Sequence, residues 1–249
     1  MNLPQPLILE NLVKNFGQLT AVNALSIEVE LGERHAIVGP NGAGKTTLFN
    51  LISGMERLTS GRILLFGKDV SEAPAYHRAS MGLARTFQII DLFQSLTVFE
   101  NVLLAIQVQT PLRSSIHKPL RRYPKIVSRA EELLCQWNLE DKRDIPVNSL
   151  SYGSQRQLEV IMALASCPRL LLLDEPTAGL SPFETSEMTR FLSQLDDSIT
   201  LLIIEHDMDV VYSLADKITV MHFGQVVAQG TPHEIKGHPK VMAIYLGGQ

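Results

Sequence analysis

The chain has 249 residues, 45% hydrophobic and 19% charged, with 26 acidic side chains against 22 basic ones and a formal charge of -4. That balance suits one or two globular domains with a sizeable core, excludes wholesale disorder, and lacks the basic excess of a general nucleic-acid binder. Cys135 and Cys167 are too few and too far apart for a disulfide framework or a four-ligand zinc site, and are expected to be reduced, buried thiols.

The first 15 residues carry one positive charge, Lys14, and no sustained apolar stretch, so no secretory signal is expected. No run approaches the ~20 apolar residues needed to cross a bilayer. Residues 7–12 and 24–31 mix apolar and polar positions as strands do, with turn material at 15–17 between them. Residues 33–38 then run into a glycine-rich loop at 39–44, and 46–52 continue with apolar residues at helical spacing. Gly54 lies just past that run, where a helix C-terminus favours glycine. A further strand is expected at 62–66, ending in a turn at 67–69.

From 96 to 165 the pattern turns helical, with apolar residues three and four apart in 98–108 and 128–137. Between those two segments, 110–125 combines three prolines with Arg113, Lys118, Arg121, Arg122 and Lys125. That composition fits a solvated loop, or a basic face directed at lipid headgroups or a partner. After 170, strands at 170–173, 200–204 and 218–221 alternate with helices at 184–195 and 208–214. Alternation of that kind implies βαβ units and a largely parallel sheet. The whole reads as an α/β core interrupted by a helical insertion.

Gly39, Pro40, Asn41, Gly42, Ala43, Gly44, Lys45 and Thr46 fit the phosphate-loop pattern, with a strand before and a helix, beginning with Thr46 and Thr47, after. Glycines let successive backbone N–H groups curl around phosphates, and the following helix turns its positive end to the same anion. Lys45 would reach the β- and γ-phosphates, and the Thr46 hydroxyl would hold Mg²⁺. A buried strand at 170–173 would deliver Asp174 to the metal, and Glu175 would sit beside the γ-phosphate as a base for the attacking water. His206 follows the apolar run at 201–204, where the carboxyl ends of parallel strands gather ligand-binding residues. It is a candidate γ-phosphate contact.

The phosphate loop, the segment Leu150, Ser151, Tyr152, Gly153, Ser154, Gln155, the run 170–176 and His206 stand in the order and spacing of the ATP-binding cassette ATPases, which the chain resembles along nearly its whole length. The resemblance implies an α/β fold: a P-loop NTPase (RecA-like) core with an antiparallel β subdomain, and an inserted α-helical subdomain. Within a single domain of residues 1–249, the core would comprise 1–90 and 166–249, and the helical part, with the signature motif, 91–165. It further implies that Ser151 and Gly153 of one subunit contact the γ-phosphate held by the other. Gln88 matches the glutamine that touches Mg²⁺ and reports nucleotide state, and Phe16 the aromatic that stacks on adenine. Tyr152, Ser154 and Ser181 depart from residues common in the family; Ser181 stands where many relatives carry aspartate, which puts coupling between the two sites in question.

A narrower likeness, to the ATPase subunits of branched-chain amino acid importers, rests on 82–88, on 150–156 and on the tail 243–247. It implies ATP and Mg²⁺ as ligands and a head-to-tail, ATP-bridged dimer with the same or a similar cassette. It also implies permease subunits, a periplasmic or extracellular substrate-binding protein, no nucleic acid, and a peripheral position on the cytoplasmic face of the membrane. The alternatives are an exporter cassette with separate membrane subunits and a soluble ATPase outside transport.

Overall fold

In the computed structural model, which describes residues 4–86, 92–108 and 122–246, the order begins β1 (Leu7–Phe16), β2 (Leu19–Val29), β3 (Arg34–Val38) and α1 (Lys45–Ser53). β4 (Ser60–Leu65), β5 (Lys68–Asp69), α2 (Ala75–Ser80) and β6 (Leu83–Arg85) follow. The helices α3 (Val98–Val108), α4 (Pro124–Gln136) and α5 (Tyr152–Leu164) come next. The chain then continues through β7 (Leu170–Asp174), α6 (Pro182–Ser193), β8 (Thr200–Ile204) and α7 (Met208–Leu214). It ends with β9 (Lys217–His222), β10 (Gln225–Gly230), α8 (Pro232–Lys236) and α9 (Pro239–Leu246). Gln88 and most of the basic stretch, including Arg113, Lys118 and Arg121, lie outside the described residues.

Two compact units result. One comprises Met1–Arg85, Arg169–Glu175 and Leu192–Gln249, the other Thr86–Pro168 and Pro176–Phe191. In the first, a six-stranded sheet runs β10-β9-β3-β8-β7-β6. Its strands from β9 to β6 are parallel, and only β10 runs antiparallel to its neighbour. Every residue of β7 and of β8 is buried. A strand covered on both faces has no polar positions to alternate, hence the unbroken apolar runs at 170–173 and 201–204.

An antiparallel sheet in the order β2-β1-β4-β5 completes this unit. Helix α1 buries Leu48, Phe49, Leu51 and Ile52 in a core shared with Leu9 and Ile27 of the antiparallel sheet and Leu172 of the parallel one. Each such side chain contributes about 1.5–3 kcal/mol when fully removed from water. Burial on several sides therefore fixes where α1, and the loop ahead of it, must lie.

The second unit is helical. On α4 the buried residues Ile126, Ala130, Leu133 and Leu134 follow helical spacing. Trp137 stacks on Phe191 at 4.9 Å between ring centroids, and Glu184 lies against Gly153. Those contacts group Pro176–Phe191 with the helices, whereas the sequence reading placed everything from 166 onward with the core.

Other differences are local. β1 extends through Phe16, so the hairpin turn falls at 17–18 and β2 begins at Leu19, five residues earlier than expected. Both cysteines are exposed, which corrects the expectation of buried thiols. Cys135 falls outside the buried stripe of α4, and Cys167 sits in a turn with a φ of 50°.

Candidate active site

The chain leaves β3 at Val38 and closes a loop in which the Ala43 N–H donates to the Pro40 carbonyl (3.2 Å) and the Gly224 N–H to the Ala43 carbonyl (3.0 Å). Gly44 takes the N-cap position of α1 with φ 97° and ψ 7°, and no side chain caps the helix there. A Cβ at Gly44 would run into the Ala21 carbonyl, so only glycine fits. With no side chain serving as acceptor, the first-turn N–H groups and the positive end of α1 form a receptor for an anion.

Lys45 is buried, and its Nζ donates to the carbonyls of Gly39 (2.6 Å) and Pro40 (3.1 Å). Burial pulls the Lys45 pKa below its ordinary value, while the charges of Glu175 and Asp174 push it back up. Asn41, Gly42 and Thr46 are exposed, and Thr47 is partly so.

At the end of β7, Asp174 is buried and its Oδ2 lies 3.2 Å from Nη2 of Arg85. Glu175 follows in the left-handed region with φ 50°, its N–H donating to the Ile204 carbonyl at 2.9 Å. For a side chain other than glycine that conformation costs on the order of 1–3 kcal/mol and is found where surrounding structure holds it in place. The bond from β8 turns Glu175 toward His206, whose Nε2 lies 2.5 Å from the Glu175 carboxylate. Lys45, Asp174, Glu175 and His206 are thus gathered at the carboxyl ends of the parallel strands. A polyanion bound at α1 would have a carboxylate beside it able to take a proton from water, with an imidazole fixing that carboxylate.

Phe16 ends β1 at 45% exposure, available to stack. The Lys14 ammonium sits 4.5 Å from its ring centroid, held by Glu56 (2.8 Å) and the Arg57 carbonyl (3.0 Å).

Ser151 and Gly153 belong to the second unit. Ser151 is the N-cap of α5, accepting from the Ser154 N–H at 3.3 Å, and Nζ of Lys142 donates to the Ser154 hydroxyl at 2.7 Å. A Cβ at Gly153 would overlap the Glu184 carboxylate, so a larger residue there would push the Glu184 side chain aside. Ser181, the residue without the common aspartate, makes a capping box with Glu184. Its N–H and hydroxyl donate to Glu184 Oε2 at 3.0 and 2.8 Å, and the Glu184 N–H returns to the hydroxyl at 3.4 Å. Those bonds hold the Glu184 pKa below the ordinary carboxylate range. Their stabilisation is present above that range and fades as pH falls through the lowered value. Ser181→Ala is therefore expected to lose roughly 1 kcal/mol in urea unfolding, and Ser181→Asp to stay within about 0.5 kcal/mol of the original.

Sequence reasoning missed Arg85 and Glu184. The signal for Arg85 was a basic residue ending a short apolar segment; for Glu184 it was the Ser-x-x-Glu spacing from Ser181.

A parallel sheet, a phosphate cradle at the start of α1 and a carboxylate pair at the end of β7 define a P-loop nucleotide hydrolase. Residues 22–178 match the family model for the ABC transporter, and 225–249 match that for the branched-chain amino acid ATP-binding cassette transporter. The high-affinity branched-chain amino acid transport ATP-binding protein LivG of Salmonella typhimurium is 40% identical over 98% of this chain and 99% of its own length. The solved ADP conformation of an ATP-binding cassette of an ABC transporter superposes with a TM-score of 0.87 at 33% identity, over 98% of this chain and 99% of that one. A dimeric bacterial ABC transporter cassette gives a TM-score of 0.77 at 25% identity, over 91% and 98%. This chain belongs to the ATP-binding cassette family of transport ATPases. It binds and hydrolyses ATP as they do.

Proposed function

We propose that the chain powers a multi-subunit importer of branched-chain or chemically related amino acids, working as a head-to-tail pair of cassettes beneath separate permease subunits. The observation that carries the substrate class is the match of 225–249 to the branched-chain family model, which lies outside the general cassette match at 22–178. No helix among the described residues is long and apolar enough to cross a membrane, so translocation falls to other subunits. The import reading adds a substrate-binding protein on the far side of the membrane and places this chain on the cytoplasmic face.

ATP would lie with its phosphates at the start of α1, adenine on Phe16, and its γ-phosphate facing Glu175 and His206, while the resemblance assigns Gln88 to Mg²⁺. The partner's Ser151 and Gly153 would close the site. Mg²⁺ fits the donors at hand, the Thr46 hydroxyl and the Asp174 carboxylate, which are hard oxygen ligands. The described residues contain no cluster of three or more His, Cys, Asp or Glu that would form a protein-only cage. Few protein ligands, completed by phosphate and water, is the usual arrangement for Mg²⁺. When bound it neutralises charge on the phosphates.

The test is uptake of labelled leucine, isoleucine and valine by cells lacking this chain. Complementation with the wild type should restore uptake, complementation with Lys45→Ala should not, and the chain should co-purify with integral membrane proteins. Unchanged uptake in its absence, or co-purification with ribosomes, would discard the reading.

A further inference from the structure

Arg85 closes the short strand β6, and its guanidinium reaches two other elements. Nη1 donates to Asn50 Oδ1 at 2.7 Å and to Ser53 Oγ at 2.9 Å, both on α1. Nη2 donates to Asp174 Oδ2 at 3.2 Å, on β7. The Arg85 side chain is 7% exposed and that of Asp174 1%, so the bridge works away from bulk water. The Phe49 ring lies 5.6 Å below the guanidinium.

The spacing along α1 gives this grip its meaning. Asn50 is four residues after Thr46 and Ser53 is seven, so all three occupy one face of the helix. Arg85 therefore holds the face that carries Thr46 with one nitrogen and Asp174 with the other. Thr46 and Asp174 are two of the side chains assigned above to the divalent cation, beside Gln88, and the inference rests on that reading. We propose that Arg85 is a positioning residue for ATP hydrolysis, setting the separation of Thr46 and Asp174 so that both meet the cation on the nucleotide.

The planar fork matters as much as the charge. Arginine presents several donors at fixed angles and can satisfy α1 and β7 together, whereas lysine offers a single mobile ammonium. Groups that orient a metal ligand without touching the metal typically change metal affinity by roughly 10–100-fold when removed. Nucleotide binding through Lys45 and the loop backbone does not pass through Arg85, so the two properties separate.

The experiment measures Mn²⁺ binding by electron paramagnetic resonance in the presence of ADP, and ADP affinity in EDTA, on the full chain. Arg85→Met should weaken Mn²⁺ binding by roughly 10–100-fold while ADP affinity in EDTA stays within about twofold. Half-saturating Mg²⁺ for hydrolysis should rise in parallel, and Arg85→Lys should fall between Arg85→Met and the wild type. Unchanged Mn²⁺ affinity in Arg85→Met overturns the proposal. If that variant does not fold, Asn50→Ala decides, since it removes half of the grip on α1 and leaves the Asp174 pair. It should weaken Mn²⁺ binding severalfold, and no change there overturns the proposal equally. Asp174→Asn separates the two levels of the argument. If it leaves Mn²⁺ binding intact, the metal assignment itself fails; if it abolishes binding while Arg85→Met does not, Arg85 alone is wrongly assigned.

Discussion

Lys45→Ala should leave a chain that binds ATP on the order of 10²-fold more weakly and hydrolyses it negligibly. The ammonium is buried and already turned into the loop, bonded to the Gly39 and Pro40 carbonyls. Charged hydrogen bonds contribute about 1.5–3 kcal/mol each, so losing two to a phosphate corresponds to a hundredfold or more. Removal also strips the compensating charge from Asp174 and Glu175, whose fields act on Lys45 in the folded chain. An incoming polyphosphate would then meet two carboxylates without the cation between them. Burial lowers the Lys45 pKa, while the charges of Glu175 and Asp174 raise it, and a bound phosphate would raise it further. Calorimetry with ATP and Mg²⁺ checks this. Affinity equal to that of the wild type would mean that Lys45 serves only to hold its own loop.

What could be read from the sequence divides along a physical line. β8 falls at the expected residues, and β7 runs one residue past its expected end, because strands buried on both faces leave an unbroken apolar run. The phosphate loop was legible because its glycines answer to local backbone geometry. β6, β10, α8 and α9 were not: β6 spans three residues, and β10 and α8 each bury a single side chain, which leaves little apolar pattern to read. Arg85 illustrates the remainder. A cation in an apolar strand looks unfavourable until the pairing of β6 with β7 brings in Asp174, 89 residues later. The left-handed backbone of Glu175 is likewise invisible locally, because it is held by a bond to Ile204 on β8. Burial sides were missed for a similar reason. Cys135 is next to Leu134 in sequence, yet a helix turns about 100° per residue and carries it out of the core.

Glu175→Gln should slow hydrolysis by roughly 10²–10⁴-fold, the usual loss when a positioned general base is removed. Glutamine keeps the size of the side chain and can still bond His206 at the place where Nε2 now meets the carboxylate. It adopts the same backbone conformation with no new clash, so the strained turn at φ 50° is retained. ATP should bind at least as well as before, because Lys45 and the start of α1 are untouched and a negative charge near the γ-phosphate is gone. If Ser151 and Gly153 of a second copy complete the site, the pair should stay closed, since the nucleotide bridging them is no longer destroyed. Size-exclusion chromatography of Glu175→Gln should then show a dimer with ATP and a monomer with ADP. Adding Ser151→Glu to that variant should return it to monomer by setting a carboxylate against the γ-phosphate. Wild-type turnover in Glu175→Gln would remove Glu175 as the base. A variant that is inactive yet monomeric with ATP would leave the base in place and show that a different cassette supplies the second half of the site.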